Sequence, residues 1–219
     1  IETCTTTVTV RDTVAPVASF ASSSTVYVDA SCLYDVSTVL NNVLSSFTDN
    51  CAIGNNAPYQ ASPLGVGNYT YTVTAVDGSG NEGSHVIDIT VEDTISPELQ
   101  VGQSSILGDF DIIGIGPDGY TAVMDSLIYS ASDNCSLDTV FVSPDTITCG
   151  DISSSTFTPA TITVVDVNGN TKVRSFLLFI YDGISPTAIY NDITIPALPG
   201  GYTISASDVA SGSFDNCGI

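Results

Sequence analysis

The sequence predicts an all-β chain, a linear array of tandem immunoglobulin-like β-sandwich domains. Three observations predict it. Short motifs recur in one order at one period, the stretches between them alternate apolar and polar residues, and no long segment carries the 3.6-residue period of a helix.

Asp-Thr-Val-Ala-Pro at 12–16 returns as Asp-Thr-Ile-Ser-Pro at 93–97 and Asp-Gly-Ile-Ser-Pro at 182–186, at intervals of 81 and 89 residues. Asp-Asn-Cys stands at 49–51, 133–135 and 215–217, at intervals of 84 and 82. Asp77-Gly-Ser-Gly-Asn81 matches Asp166-Val-Asn-Gly-Asn170, 89 residues on. Chance does not keep three interleaved motifs in step. The frame divides the chain into residues 1–11, the last strand of a preceding repeat; 12–92, a first repeat; 93–181, a second; and 182–219, the N-terminal part of a third. Both ends then fall inside a repeat, and with no initiator Met or secretory leader pattern at Ile1 the sequence reads as a piece of something longer.

Each element follows from its local pattern. Thr5 to Val10 has the composition of a repeat's last strand. Pro16, Pro97 and Pro186 restrict the residue before them and shorten the linkers. Val39 to Phe47 is the one stretch suited to a short helical turn. Asn68 to Val76 alternates with period two and is rich in β-branched and aromatic residues. After the Gly-bearing turn at 77–81, His85 to Val91 returns as its hairpin partner. Ala160 to Val165 and Val173 to Tyr181 repeat that hairpin around 166–170. Units of this length, with many short strands, fit small immunoglobulin-like sandwiches.

Composition narrows the function. Twenty-four acidic residues face Arg11, Lys172 and Arg174, a net charge of −21 that a phosphate backbone would repel. Nucleic-acid partners are excluded. With 43% hydrophobic and 12% charged residues the chain can bury a core and is not of disordered composition. The longest strongly apolar run, Phe176 to Tyr181, is far too short to span a bilayer. Six cysteines with one histidine and no Cys-x-x-Cys argue against Cys/His zinc sites and for disulfides in an oxidising compartment.

The order Asp-Thr-x-x-Pro, Asp-Asn-Cys-x-Ile, then Tyr-Thr-Val-Thr-x-x-Asp-x-x-Gly-Asn resembles hyalin repeats and related immunoglobulin-like repeats of large bacterial cell-surface adhesins. The resemblance covers nearly the whole chain. It implies tandem extracellular modules used for adhesion or as stalks, without catalysis.

Sandwich topology gathers carboxylates. The hairpin turn, the Asp-Asn-Cys loop and the linker should share one pole of each repeat, which brings Asp12, Asp49 and Asp77 together, with Asn81 beside them. The same mapping joins Asp93, Asp133, Asp166 and Asn170, and then Asp182 with Asp215, where no hairpin follows in this sequence. Two carboxylates ~5 Å apart repel by ~3 kcal/mol at an effective dielectric of 20. A hard cation removes that cost, and calcium takes all-oxygen sites of this kind in extracellular modules. Asp77, Ser79 and Asn81, like Asp166, Asn168 and Asn170, alternate as an EF-hand opens, but the sixth-position Gly and twelfth-position Glu of that loop are missing. Turn chemistry alone also suits these residues, since Asp and Asn bond their own backbone. Asp109, Asp111, Asp118, Asp145 and Asp151 lie outside the motifs and read as solvated.

Cys135 and Cys149, fourteen residues apart in one repeat, are the expected disulfide. Cys51 has only Cys32 as a partner within its repeat, and a repeat with cysteines placed like Cys4 and Cys217 would bridge its Asp-Asn-Cys loop to its last strand. Catalysis has little support: His85 is the only histidine, in a slot filled by Cys4 and Arg174 elsewhere, and the paired acids recur where a catalytic cleft would occur once. Sugar platforms need aromatic faces; there is no Trp, and Tyr69 and Tyr71 read as strand core or corner residues. Asn68-Tyr-Thr70 and Asn134-Cys-Ser136 match the N-glycosylation acceptor, and Asp-Ser/Thr-aliphatic triplets at 12–14, 93–95, 125–127, 138–140 and 145–147 resemble a bacterial O-glycosylation signal.

The expected function is that of a structural segment: a calcium-stiffened stalk or fibre of an extracellular, bacterial cell-surface adhesin. Its partners would be neighbouring repeats. The alternatives are a self-assembling filament subunit, since exposed edge strands can pair, and a carbohydrate-binding accessory module meeting surface glycans.

Overall fold

The computed structural model describes residues 2–101, 110–127, 129–153, 156–196, 199–210 and 212–218. The chain forms two compact units, Ile1–Ile95 and Ser96–Ile219. Both are built mainly of β-strands, and none of the described helices is long and apolar enough to cross a membrane.

The first unit contains β1 (Val17–Ala18), β2 (Ser23–Tyr27), α1 (Ser37–Ser45), β3 (Phe47–Thr48), β4 (Gly67–Val76) and β5 (Glu82–Glu92). β4 and β5 are the expected hairpin, paired antiparallel from Gly67 opposite Val91 to Val76 opposite Glu82. β5 is central, since β2 pairs parallel to its other edge. Alternation sends Val73, Ala75, Ile87, Ile89 and Val91 inward, where each is essentially solvent-free. α1 forms because Val36, Val39, Leu40 and Val43 recur at helical spacing and make one apolar stripe, while the Asp35 carboxylate accepts the Ser37 N–H at 3.0 Å and starts it. The helix lies two residues earlier than the sequence suggests because Phe47 is drawn into β3, opposite Ala18.

Two local features fix this unit's edges. The Tyr69 hydroxyl donates to the carbonyl of Gly65, four residues upstream, at 3.2 Å. That is the tyrosine-corner arrangement of immunoglobulin-like sandwiches, in which the tyrosine near the start of a strand ties down the preceding bend. At Gly83 a Cβ atom would run into the Pro16 carbonyl oxygen, so the linker lies directly on β5. Thr5 to Val10, expected as a strand, is exposed and pairs with nothing among the described residues. A strand needs a partner for its backbone groups, and alternation alone does not supply one.

The second unit contains β6 (Glu98–Val101), β7 (Phe110–Gly114), β8 (Tyr120–Ala122), α2 (Val123–Ser126), β9 (Tyr129–Ser132), β10 (Leu137–Ser143), β11 (Thr146–Thr148), β12 (Thr158–Asp166), β13 (Thr171–Tyr181) and α3 (Ala206–Val209). Its main sheet runs β10-β12-β13-β7, with β12–β13 the second expected hairpin and β7 parallel to β13. β11 leaves that sheet to pair with β8, and β6 pairs with β9. Ile113, Val123, Ile147, Ile162, Val164 and Leu178 form the centre of its core. Residues 182–218 carry α3 and two isolated bridges, Thr187 with Phe214 and Tyr190 with Ala210.

Candidate metal centre

The hairpin turn comes first. Asp77 accepts the Ser79 and Asn81 N–H groups on Oδ1 at 2.8 and 2.9 Å and the Asn81 side-chain amide on Oδ2 at 2.7 Å. Asp166 does the same with Asn168 and Asn170, each bond 2.8 Å. Both carboxylates are buried, at 5% and 2% exposure. Burial disfavours the charge on Asp77, but the bonds from Asn81, Ser79 and Gly80 together outweigh it and hold the carboxyl below its usual pKa.

The Asp-Asn-Cys loop repeats one geometry three times. The aspartate Oδ2 accepts the cysteine N–H at 2.9 Å in Asp49, 2.9 Å in Asp133 and 3.4 Å in Asp215. Each intervening asparagine sets its amide 3.5 Å from the cysteine sulfur. The other oxygen of each aspartate, Oδ1 of Asp49, Asp133 and Asp215, is buried and takes no hydrogen bond. A buried carboxylate oxygen left without a donor is costly, and its appearance at the same atom of three loops calls for a ligand.

One backbone bond ties this loop to the hairpin turn in each unit: Gly78 N–H to the Ala52 carbonyl at 3.0 Å, and Val167 N–H to that of Ser136 at 3.1 Å. The linker aspartates form a further set of small turns. Asp12 accepts the Val14 N–H at 3.1 Å, Asp93 that of Ile95 at 3.0 Å, and Asp182 that of Ile184 at 3.0 Å.

In the first unit these pieces converge. Ligand atoms of Asp12, Asp49 and Cys51 lie within 4.8 Å of one another. Asn81 reaches the Asp12 carbonyl with its amide at 3.3 Å, which places the Asp77 turn alongside. The Val14 N–H and the Asn50 amide, 3.2 Å from Asp12 Oδ1, lower the Asp12 pKa. The Asp12 carboxylate and the neighbouring negative charges push the Cys51 thiol up, so the sulfur keeps its proton and the available donors are hard oxygens. That set suits calcium better than a thiophilic ion. In the second unit Asp133 and Asp166 stand at the two ends of the Ser136–Val167 contact, with Asn170 bonded to Asp166. Among the described residues Asp182 and Asp215 belong to no group of three metal-ligating side chains.

Several expectations change. Cys149 is bonded to Cys217, with the Cα atoms 5.2 Å apart, and not to Cys135, which takes part in a different disulfide. β11 turns away from β10 to pair with β8, which sets Cys149 on a tight turn against the 116–119 loop and away from Cys135. Cys51 is a free thiol, so no Cys32–Cys51 bridge forms, and Cys217, whose partner the sequence left open, is bonded to Cys149. Asp111 is buried at 6% exposure, its carboxylate on the Ile112 N–H; Asp118, Asp145 and Asp151 are exposed as expected, and Asp109 lies outside the described residues. The sequence reading also missed Asn50 and Asn216 as positioning residues, although both stand inside the repeated motif.

A shallow groove in the first unit is lined by Asp35, Thr38, Asn41, Tyr59, Gln60 and Pro63. Asn41 bonds the Tyr59 backbone twice, and the Tyr59 hydroxyl accepts the Thr74 N–H.

No family model matches the chain, and no curated protein matches it. Among solved structures, the protocadherin GammaB4 extracellular domain is similar to it at 16% identity and a TM-score of 0.29, over 82% of this chain and 34% of that one. The chain thus spans about a third of that structure's length.

Proposed function

We propose that this chain is a non-catalytic, extracellular structural segment: immunoglobulin-like repeats in line, stiffened by calcium at the pole where linker, Asp-Asn-Cys loop and hairpin turn meet, forming an adhesin stalk or surface fibre. The observation that carries the reading is the orphaned Oδ1 of Asp49, Asp133 and Asp215, one per repeat at the same place. Asp12 and Asp49 would hold the ion in the first repeat, with Asp77 and Asn81 shaping the turn behind them. Asp133, backed by Asp166 and Asn170, would be the corresponding set in the second, and Asp215 in the third. Calcium supplies charge neutralisation and rigidity there. The carboxylates divide the labour: those of the turn have both oxygens engaged, while those of the loop keep one oxygen open.

The test is calcium titration by calorimetry with thermal melting. A site with a Kd of ~10⁻⁴ M, filled at ~10 mM calcium, adds about 2.7 kcal/mol of stability. Asp49→Asn with Asp133→Asn should abolish the heat and the shift in Tm. If wild-type protein shows neither heat nor shift, the acids act as turn and solubility residues, and glycan binding and filament assembly become the readings to test.

A further inference from the structure

Cys217 belongs to an Asp-Asn-Cys loop of the 182–219 segment, yet its disulfide partner, Cys149, lies 68 residues back in the repeat before it. The loop is fitted to that repeat beyond the sulfur. Asn216 donates its side-chain amide to the Gly116 carbonyl at 3.2 Å, and the Asn216 carbonyl lies 3.0 Å from where a Cβ on Gly119 would stand. Gly119, at φ 79°, makes room for the loop and shapes the turn that receives it.

Cys51 occupies the same place in the same loop. Its N–H is held by Asp49 as that of Cys217 is by Asp215, and its sulfur has the same asparagine amide at 3.5 Å. It differs in being an exposed, free thiol, and Asn50, the counterpart of Asn216, is turned onto Asp12 at 3.2 Å. Cys135, in the remaining copy of the loop, is disulfide-bonded too. Of three equivalent sulfurs only that of Cys51 lacks a mate.

We infer that Cys51 is the receiving half of an inter-repeat disulfide, paired in the assembled protein with a cysteine that a neighbouring immunoglobulin-like repeat on its Asp12 side presents as this chain presents Cys149. The occupied Cys149–Cys217 bond is the template, and the class of partner follows from it: a repeat carrying a cysteine on a tight turn beside a glycine-bearing loop. In forming the bond two thiols lose two protons and two electrons. A low-molecular-weight or protein disulfide takes them up, becoming two thiols. The inference rests on the extracellular reading, because such bonds persist only in an oxidising compartment.

The test is disulfide mapping of the protein as its own cells export it, blocked with an alkylating reagent before any reduction and digested. The expected result is a Cys51 peptide recovered only in disulfide linkage to a cysteine of another repeat other than Cys4, alongside Cys149–Cys217. Recovery of Cys51 as an alkylated free thiol, linked to Cys4, or capped by a small thiol, with Cys149–Cys217 intact, overturns the inference and leaves the extracellular reading standing. Recovery of both sites reduced overturns the two together.

Discussion

Asn81 shows how one side chain serves two neighbours. Its backbone and side-chain N–H groups hold both oxygens of Asp77, and the same amide reaches the Asp12 carbonyl. Because these bonds keep the Asp77 pKa below its ordinary value of 3.8, the stability they contribute is present above that pH and is lost as the pH falls through the lowered value. Asn81→Ala should therefore destabilise the chain at pH 7 and make progressively less difference as the pH is lowered through the acid range. Urea midpoints of wild type and variant across a pH series measure this. The sequence signalled Asp77 and Asn81 through the repeat, because the turn's spacing is local. It gave no sign that Asp49, Asp133 and Asp215 would each keep one oxygen idle, since that depends on which donors the fold brings near.

Elements were legible in proportion to their length. β4, β5, β12 and β13 run nine to eleven residues and carry full period-two alternation, so their positions and the hairpins they make follow from sequence. α1 follows from apolar spacing. β1 and β3, two residues each, have no period to read, and β2 and β7 gain their parallel places beside β5 and β13 only from the fold. The contact of Pro16 with Gly83 is equally silent in sequence, though it seats the linker on the sheet. Gly83→Ala should force the linker off β5 and cost about 3 kcal/mol, the upper range for inserting a methyl group into a packed contact. Chemical denaturation with calcium held constant checks it.

At the scale of the whole molecule, three motifs in step set out a repeat frame in the sequence, but nothing in it marked the cysteine pairing. Fourteen residues separate Cys135 from Cys149 and 68 separate Cys149 from Cys217; proximity in sequence favoured the wrong partner, and the departure of β11 from the β10 sheet decided the right one. A closed loop of that size is worth about 4 kcal/mol in the chain-entropy account. Besides the disulfide, residues 182–218 have two isolated bridges and largely exposed side chains, so reduction should loosen this segment first. Limited proteolysis with and without reductant should show early cleavage between about residues 187 and 216 in the reduced protein only, while the β12–β13 hairpin stays protected.

The Cys149–Cys217 bond also redraws the route by which a pull travels along the chain. Tension arriving at Cys149 crosses the sulfur bridge and leaves at Cys217, so the residues between them, including β12 and β13, bear no axial load. At most ~240 Å of extended contour is thereby withheld from stretching. β7 and β10 remain on the loaded path, braced against strands that are sheltered from it. A pull on this chain would thus leave the β12–β13 hairpin folded while the strands before Cys149 take the strain.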